Sequence, residues 1–216
     1  MILALDSSSE NGSAALVADD RIVREIEFPG GRSRAGGAAQ ALATLAEVEA
    51  RAVVVGLGPG SYNGIRSAVA LAWGFARARR IRLSGIPSLL GLAPGEFLAA
   101  GDARQSQFYF AHVREWGFVT PPELVTQVGL LERLAAHPTL EVLVPTALGL
   151  PRERVSTPRA ALLAHVSRMS RPAQPTSESA STAPAPIPAP APAPAPIPIP
   201  IYLKPPHVTT PSHHKP

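Results

Sequence analysis

The chain has 216 residues, and 45% of them are hydrophobic, so it is long enough for one large domain or for two small lobes with a real core. It contains no cysteine, which excludes disulfide bonds, thiol nucleophiles and cysteine-bound metal ions. The formal net charge is +4, and 18 of the 20 basic residues are arginine, so nucleic acid is a candidate partner beside the simpler interpretation of a solvated basic surface.

The first 92 residues predict a sheet flanked by helices. Short apolar or alternating runs predict the strands, and apolar residues at helical spacing predict the helices. In chain order the predicted elements are strands at 2–5, 13–17 and 22–28, a helix at 35–48, a strand at 52–57, a glycine-rich turn at 58–64, a helix at 65–79, a strand at 82–86 and a short helix at 88–92.

A second, weaker copy of this pattern follows. The predicted elements are strands at 97–100, 107–113 and 117–119, a helix at 128–136, a strand at 141–144 and a helix at 159–169. Strands that lead into alternating helices and strands are typical of a mixed α/β fold. We therefore expect two lobes, at residues 1–94 and 95–170.

The remaining residues, 171–216, form a Pro/Ala-rich tail. They hold 15 of the 25 prolines, and between 183 and 200 nearly every second residue is proline. Such a run cannot form a helix or a central strand, so it predicts a disordered, polyproline II-like spacer. The spacer leads to the motif Tyr202-Leu203-Lys204.

The N-terminus predicts a cytoplasmic protein. It lacks a basic stretch, and its apolar run stops at Asp6, too early for a signal peptide. No apolar run approaches the ~20 residues that span a bilayer, so we expect no membrane contact.

The strongest local motif is the turn Gly58-Pro59-Gly60-Ser61-Tyr62-Asn63-Gly64-Ile65-Arg66, which follows a buried strand and opens a helix. Backbone N–H groups in such a turn can hold a phosphate. A Walker P-loop is excluded because no Lys-Ser or Lys-Thr follows, and a dinucleotide fingerprint would be one residue shorter and would be followed by an acidic residue. A turn that faces a nucleotide phosphate or another subunit stays open, as does a turn without a ligand.

The first predicted strand is followed by an acidic residue and hydroxyls, Asp6-Ser7-Ser8. Actin-like ATPases contact nucleotide phosphates and metal with residues of this kind at this position. With the turn Asp102-Ala103-Arg104, Asp6, Ser7 and Ser8 complete the candidate set of a nucleotide- or partner-facing site. Its members are Asp6, Ser7, Ser8, Gly58, Gly60, Ser61, Gly64, Arg66, Asp102 and Arg104.

These motifs together resemble the bacterial TsaB (YeaZ) family. The resemblance rests on the order of several elements, strongest over residues 1 to about 110. They are Ile2-Leu3-Ala4-Leu5-Asp6-Ser7-Ser8, Gly58-Pro59-Gly60-Ser61 with Gly64-Ile65-Arg66, Gly85-Ile86-Pro87-Ser88-Leu89, Asp102-Ala103-Arg104 and Tyr202-Leu203-Lys204. The chain departs from the family at Tyr62-Asn63, where members usually have Phe-Thr, and in residues 28–37, which are shortened.

The resemblance implies a duplicated actin-like, RNase H-like (ASKHA) fold with two lobes of mixed sheets. It also implies a non-catalytic scaffold that binds and activates the catalytic paralogue TsaD, works with the ATPase TsaE and meets tRNA indirectly. Whether the chain also binds nucleotide or touches tRNA directly stays open. The reaction is threonylcarbamoyl transfer to the adenosine next to the anticodon. We expect no cofactor of the chain's own, ATP or ADP at the interface of the complex, and a homodimer when the partner is absent.

The residues themselves predict neither a metal site nor catalytic residues. A metal site of the TsaD type needs two histidines one helical turn apart, and none of the six histidines lies four positions from another. No G-x-S-x-G elbow and no pattern of a Ser/His/Asp triad is present.

Two helices rich in small residues predict the partner surface, because small side chains let helix axes approach closely. One stripe would face the chain's own sheet and the other a partner, although both could serve internal packing alone. The interface residues are Ala35, Ala38, Leu42, Ala68 and Ala72.

The competing functions are enzymatic. A stand-alone nucleotide- or dinucleotide-binding enzyme would use the turn from Gly58 to Gly64. An actin-like sugar kinase would need a much longer chain, and a glycoprotease-like peptidase would need the absent histidine pair.

Overall fold

The computed structural model describes residues 1–30, 36–170 and 197–203. They form two five-stranded sheets and four helices. The strands are β1 (Ile2–Asp6), β2 (Asn11–Ala18), β3 (Arg21–Pro29), β4 (Ala52–Gly56), β5 (Arg82–Ile86), β6 (Glu96–Asp102), β7 (Gln107–Arg114), β8 (Gly117–Thr126), β9 (Val142–Val144) and β10 (Glu153–Val155). The helices are α1 (Gly37–Leu45), α2 (Tyr62–Arg79), α3 (Gln127–Ala135) and α4 (Ala160–Met169), with a 3-10 helix at Ser88–Gly91.

The two sheets have the same topology. The first has the order β3-β2-β1-β4-β5, and the second has β8-β7-β6-β9-β10. In each, three antiparallel strands lead into two strands that run parallel to the first strand of the meander. The predicted duplicated actin-like fold with mixed sheets is confirmed.

Strands β1 and β4 are continuous apolar runs, as central parallel strands require. The first sheet can therefore be buried on both faces. One face packs against α1 and α2. The other shares a core with α4, the 3-10 helix and one face of the second sheet. The outer face of the second sheet packs against α3.

The predicted division into lobes at residue 94 stays a prediction. Helix α4, which it assigned to the second lobe, packs against β1, β2 and β4 of the first sheet. The core between the sheets is therefore common to both halves of the sequence.

The predicted elements are present with shifted ends. Two strands differ more from the prediction. Strand β8 continues past Pro121 and Pro122 to Thr126, which an edge strand permits because one side of its backbone needs no partner. Strand β10 has only three residues and was not predicted. The proline-rich residues 171–196, predicted to be disordered, lie outside the described residues.

Within the described ranges, no helix is both long enough and apolar enough to cross a membrane.

Candidate functional site

Asp6 ends β1 in a completely buried position. Its Oδ1 accepts hydrogen bonds from the Ser8 amide at 2.9 Å and the Ser8 hydroxyl at 2.7 Å, and its Oδ2 accepts one from the Ser88 hydroxyl at 2.5 Å. Burial raises the pKa of the Asp6 carboxyl above its usual value, against the lowering effect of these hydrogen bonds. Both carboxyl oxygens are thus engaged by the protein itself.

The glycine-rich turn lies directly on the segment after β1. The Ser61 amide donates to the Ser8 carbonyl at 2.7 Å, and the Gly58 amide donates to the Ser88 hydroxyl at 2.8 Å. A Cβ on Gly60 would lie 2.0 Å from the Ser8 carbonyl oxygen, and one on Gly64 would lie 2.0 Å from that of Ser7. The two backbones are in contact, and this contact needs glycine.

The structure therefore brings together seven of the ten predicted site residues: Asp6, Ser7, Ser8, Gly58, Gly60, Ser61 and Gly64. Ser7 and Ser8 are 6% and 5% exposed. The glycine-rich turn is packed directly against the backbone of Ser7 and Ser8. This geometry favours the interpretation as a tight strand-to-helix turn.

Ser88 belongs to this cluster, and sequence reasoning missed its role. It follows β5, whose carboxyl end lies beside those of β4 and β1 in one parallel set. Because the ends of parallel strands meet at one edge, a hydroxyl after Gly85-Ile86-Pro87 could have been placed near Asp6 from the sequence.

The other three predicted residues lie elsewhere. Asp102 and Arg104 are in the hairpin turn between β6 and β7 of the second sheet. The Arg104 amide donates to Asp102 Oδ1 at 2.6 Å, and the guanidinium lies 3.6 Å from the carboxylate. Arg66 is exposed on α2, where its guanidinium donates to the Tyr62 hydroxyl at 3.1 Å and lies over that ring.

The predicted partner stripes are wrong as an exposed surface. Ala38, Leu42, Ala68 and Ala72 are 8%, 7%, 0% and 0% exposed, and all belong to the core between the helices and the first sheet. The described residues of both stripes serve internal packing, because the most apolar face of each helix is the face that packs against the first sheet. Ala35 lies outside the described residues.

The exposed faces of the same helices carry small residues beside Gln40 on α1 and Asn63 and Arg66 on α2. On α1 they include Ala39 and Ala43, and on α2 they include Ser67, Ala70 and Gly74. A partner helix could approach these faces closely.

The short segment 197–203 lies against α2. The Ile201 amide donates to the Leu57 carbonyl at 2.8 Å, the Tyr202 ring lies 5.1 Å from the Tyr62 ring, and Leu203 packs against the core between the sheets. An open groove of about 700 Å³ remains between this segment and the helix. It is lined by Asn63, Arg66, Ser67, Val69, Ala70, Trp73, Ile197, Pro198, Pro200 and Tyr202.

Replacing Tyr202 with alanine should lower the free energy of unfolding by about 0.5–1.5 kcal/mol, the usual worth of an aromatic pair. In a chain of this size that is a decrease of a few degrees in melting temperature. Tyr202→Phe keeps the ring and should change little in thermal unfolding followed by circular dichroism. Equal melting temperatures for wild type and Tyr202→Ala would show that the contact does not hold the segment.

The histidines do not build a metal site in the part of the chain that the structure describes, where no group of three or more potential ligands occurs. His112 is buried and its Nε2 lies 2.8 Å from Glu96 Oε1, which also accepts from the Arg114 guanidinium at 2.7 Å. The hydrogen bonds from Arg114 and His112 lower the pKa of Glu96 to about 2.

This shift predicts a pH dependence of stability. Because the pKa of Glu96 is lower in the folded chain than in the unfolded one, the ionised carboxylate stabilises the fold above the unfolded value of 4.5, and this contribution is lost as the pH falls toward 2. We expect Glu96→Gln to melt below wild type at pH 6 and the two melting temperatures to converge near pH 2. A difference that does not change with pH would contradict the ionic contribution.

Comparison with known proteins gives one family model and two sequence relatives. A family model described as TsaD: tRNA N6-adenosine threonylcarbamoyltransferase matches residues 35–141. The uncharacterized protein ML0378 of Mycobacterium leprae is 33% identical over 124 residues, which cover 50% of this chain and 34% of that protein. The tRNA threonylcarbamoyladenosine biosynthesis protein TsaB of Escherichia coli is 29% identical over 147 residues, which cover 57% of this chain and 64% of TsaB. The matched part therefore spans less than two thirds of either relative.

Solved structures share the fold. YeaZ from Pseudomonas aeruginosa superposes with a TM-score of 0.63 at 21% identity, covering 78% of this chain and 91% of YeaZ. A protein with similarity to peptidase YEAZ from the same organism gives 0.61 at 21% identity, covering 78% and 90%. Together, the TsaD family model, the similarity to TsaB and the shared fold support a member of the TsaB/YeaZ family.

Proposed function

We propose that the chain is a non-catalytic subunit in the formation of threonylcarbamoyladenosine in tRNA. In this proposal it binds and activates a TsaD-like catalytic paralogue, which transfers the threonylcarbamoyl group to the adenosine next to the anticodon. A TsaE-like ATPase is the third component, and the reaction takes place in the cytoplasm. The similarity to the tRNA threonylcarbamoyladenosine biosynthesis protein TsaB of Escherichia coli supports the pathway.

One observation carries the non-catalytic role. Gly60 packs on the Ser8 carbonyl without room for a side chain, and Asp6 is buried with both carboxyl oxygens bonded to the protein. A buried carboxyl held by Ser8 and Ser88 is a structural support of the turn rather than a ligand for magnesium. ATP or ADP in the complex would therefore be held at the interface or by the partners.

The partner surface in this proposal is the exposed face of α1 and α2. These helices pack against each other, and their outer faces carry Ala43 on α1 and Ala70 and Gly74 on α2. A pair of partner helices could dock on such a face at short axial distance. Without the partner, the same face would join two copies in a symmetric dimer.

The test is reconstitution with the TsaD and TsaE homologues of the same host. We expect the chain to co-purify with the TsaD homologue and to be required for threonylcarbamoyladenosine in an unmodified tRNA transcript. Millimolar ATP and magnesium should leave the melting temperature of the isolated chain unchanged, since a ligand that binds the folded state would raise it. Modification at full rate without the chain would contradict the proposal, and a large ATP-dependent rise in melting temperature would favour a nucleotide-binding enzyme.

A further inference from the structure

Five exposed arginines lie where α2 ends and where two neighbouring strands begin. We call them the arginine patch. They are Arg77 and Arg79 in the last turn of α2, Arg80 at its C-terminal cap, Arg82 at the start of β5 and Arg51 just before β4. The fold and the proposed function leave these side chains without a role.

The strand register places the patch at one end of the first sheet. Ala52, next to Arg51, pairs with Arg82, and the Arg51 amide donates to the Met1 carbonyl at 2.8 Å. Since neighbouring strands lie about 4.8 Å apart, Met1, Arg51 and Arg82 lie side by side within about 10 Å. Helix α2 starts at the opposite end of the sheet, after β4, so its last turn reaches the same end as these residues.

Little on the protein neutralises this charge. The sequence has no acidic residue between Glu49 and Glu96. None of the ion pairs among the described residues involves an arginine of the patch. Among the side chains of the patch, only that of Arg79 has a hydrogen-bond acceptor in the described part of the chain, the Ala46 carbonyl at 2.9 Å. Two acidic residues, Glu47 and Glu49, shortly precede Arg51, against the five arginines of the patch.

Helix capping explains only part of the patch. Cations near a helix C-terminus are stabilised by the helix dipole, which accounts for Arg77 and Arg79. Arg51 and Arg82 lie at the starts of β4 and β5, outside the helix, so capping of α2 does not account for arginine at these two positions. Their position beside the helix end needs another explanation.

We propose that the arginine patch binds the phosphate backbone of tRNA directly, an inference that rests on the proposed function. A guanidinium group presents paired donors that match a phosphate, and backbone contacts position an RNA without reading its sequence. Because none of these arginines forms an ion pair within residues 1–30, 36–170 and 197–203, binding would break none there. The patch lies at the end of the sheet opposite the turn from Gly58 to Gly64, so it would hold the RNA body away from that turn. In this proposal the chain contacts tRNA directly, in addition to the indirect contact through its partner.

The experiment compares two variants of equal net charge. Arg77→Gln with Arg80→Gln removes two charges from the patch, and Arg79 is kept because it bonds Ala46. The control, Arg21→Gln with Arg24→Gln, removes two exposed charges from β3, the opposite edge of the sheet. Binding of a fluorescein-labelled tRNA transcript with an ANN anticodon is measured by anisotropy against potassium chloride concentration. Each protein is used as the full chain, alone and with its TsaD homologue.

We expect the patch variant to reduce the slope of log K against log salt by about two, one for each lost phosphate contact. If the affinities agree near about 1 M salt, this is roughly a hundredfold loss near about 0.1 M. The control should keep the wild-type slope, and both variants should melt like wild type. Equal losses in both variants, unchanged binding in the patch variant, or no tRNA binding by the wild-type chain in either form would overturn the inference.

Reconstituted modification separates the two proposals. If the wild-type chain supports modification and the patch variant does so with an unchanged KM for tRNA, the inference fails and the proposed function stands. If the patch variant no longer co-purifies with the TsaD homologue, the patch is a protein-binding surface and the inference is likewise overturned. If the wild-type chain supports no modification, the proposed function itself fails.

Discussion

Replacing Gly60 with valine should leave the chain largely unfolded. The backbone at Gly60 has φ +153°, which L-residues rarely adopt, and a Cβ there would lie 2.0 Å from the Ser8 carbonyl oxygen. That oxygen accepts the Ser61 amide, so it cannot move without breaking the contact between the turn and the segment after β1. We expect a loss of more than about 4 kcal/mol, a large part of the stability of an ordinary domain. Urea unfolding followed by circular dichroism measures it.

Gly74→Ala is the matched control. Gly74 lies within α2 on an exposed face, and a Cβ there meets nothing within 4 Å. Alanine should stabilise the helix by roughly 0.5–1 kcal/mol. A Gly60→Val variant with wild-type stability would show that the turn is an ordinary surface loop, whatever the control does.

The fold could be predicted because its signals are local. Continuous apolar runs predict β1 and β4, the alternation between residues 22 and 28 predicts β3, and the repeated order of elements predicts the duplication. Strand β10 could not be predicted, because Glu153–Val155 is short and its pairing with β9 is decided by long-range packing. Short strands depend on tertiary context more than on their own residues.

The site could be predicted only as a set of residues. Motifs around Asp6 and Gly58 indicate two turns, but the sequence does not say whether the space between them is open. The same glycines that could admit a phosphate here admit the backbone of Ser7 and Ser8. Only distances decide between these outcomes.

The partner stripe failed for a related reason. Alanine suits the face that packs on a sheet as well as a face that receives a partner's helix. On α1, Ala38 and Leu42 are buried while Ala39 and Ala43 are exposed, and adjacent small residues do not distinguish the two faces. The small residues do pack closely, but the described stripe residues pack against the chain's own first sheet and not against a partner's helices.

An arginine at Leu42 should therefore destabilise the fold strongly, whereas an arginine at Ala43 should hardly change its stability. Leu42 is 7% exposed within the core under α1, so Leu42→Arg buries an unpaired charge and should cost about 3–5 kcal/mol. We expect little soluble protein, or a melting temperature many degrees below wild type. Ala43 is exposed on the same helix, and an arginine there should change stability by no more than about 0.5 kcal/mol.

The exposed substitution tests the proposed partner surface. Ala43→Arg, and independently Ala70→Arg on α2, should abolish co-purification with the TsaD homologue and self-association in sedimentation, while the circular dichroism spectrum stays that of wild type. The reason is steric, because a long side chain on a face of small residues separates the helix axes, and its charge would have to lose water in the interface. Arg21→Gln, far away on the edge strand β3, should leave both interactions intact. Folded Ala43→Arg and Ala70→Arg variants that bind the partner at wild-type strength would place the interface on another face of the protein.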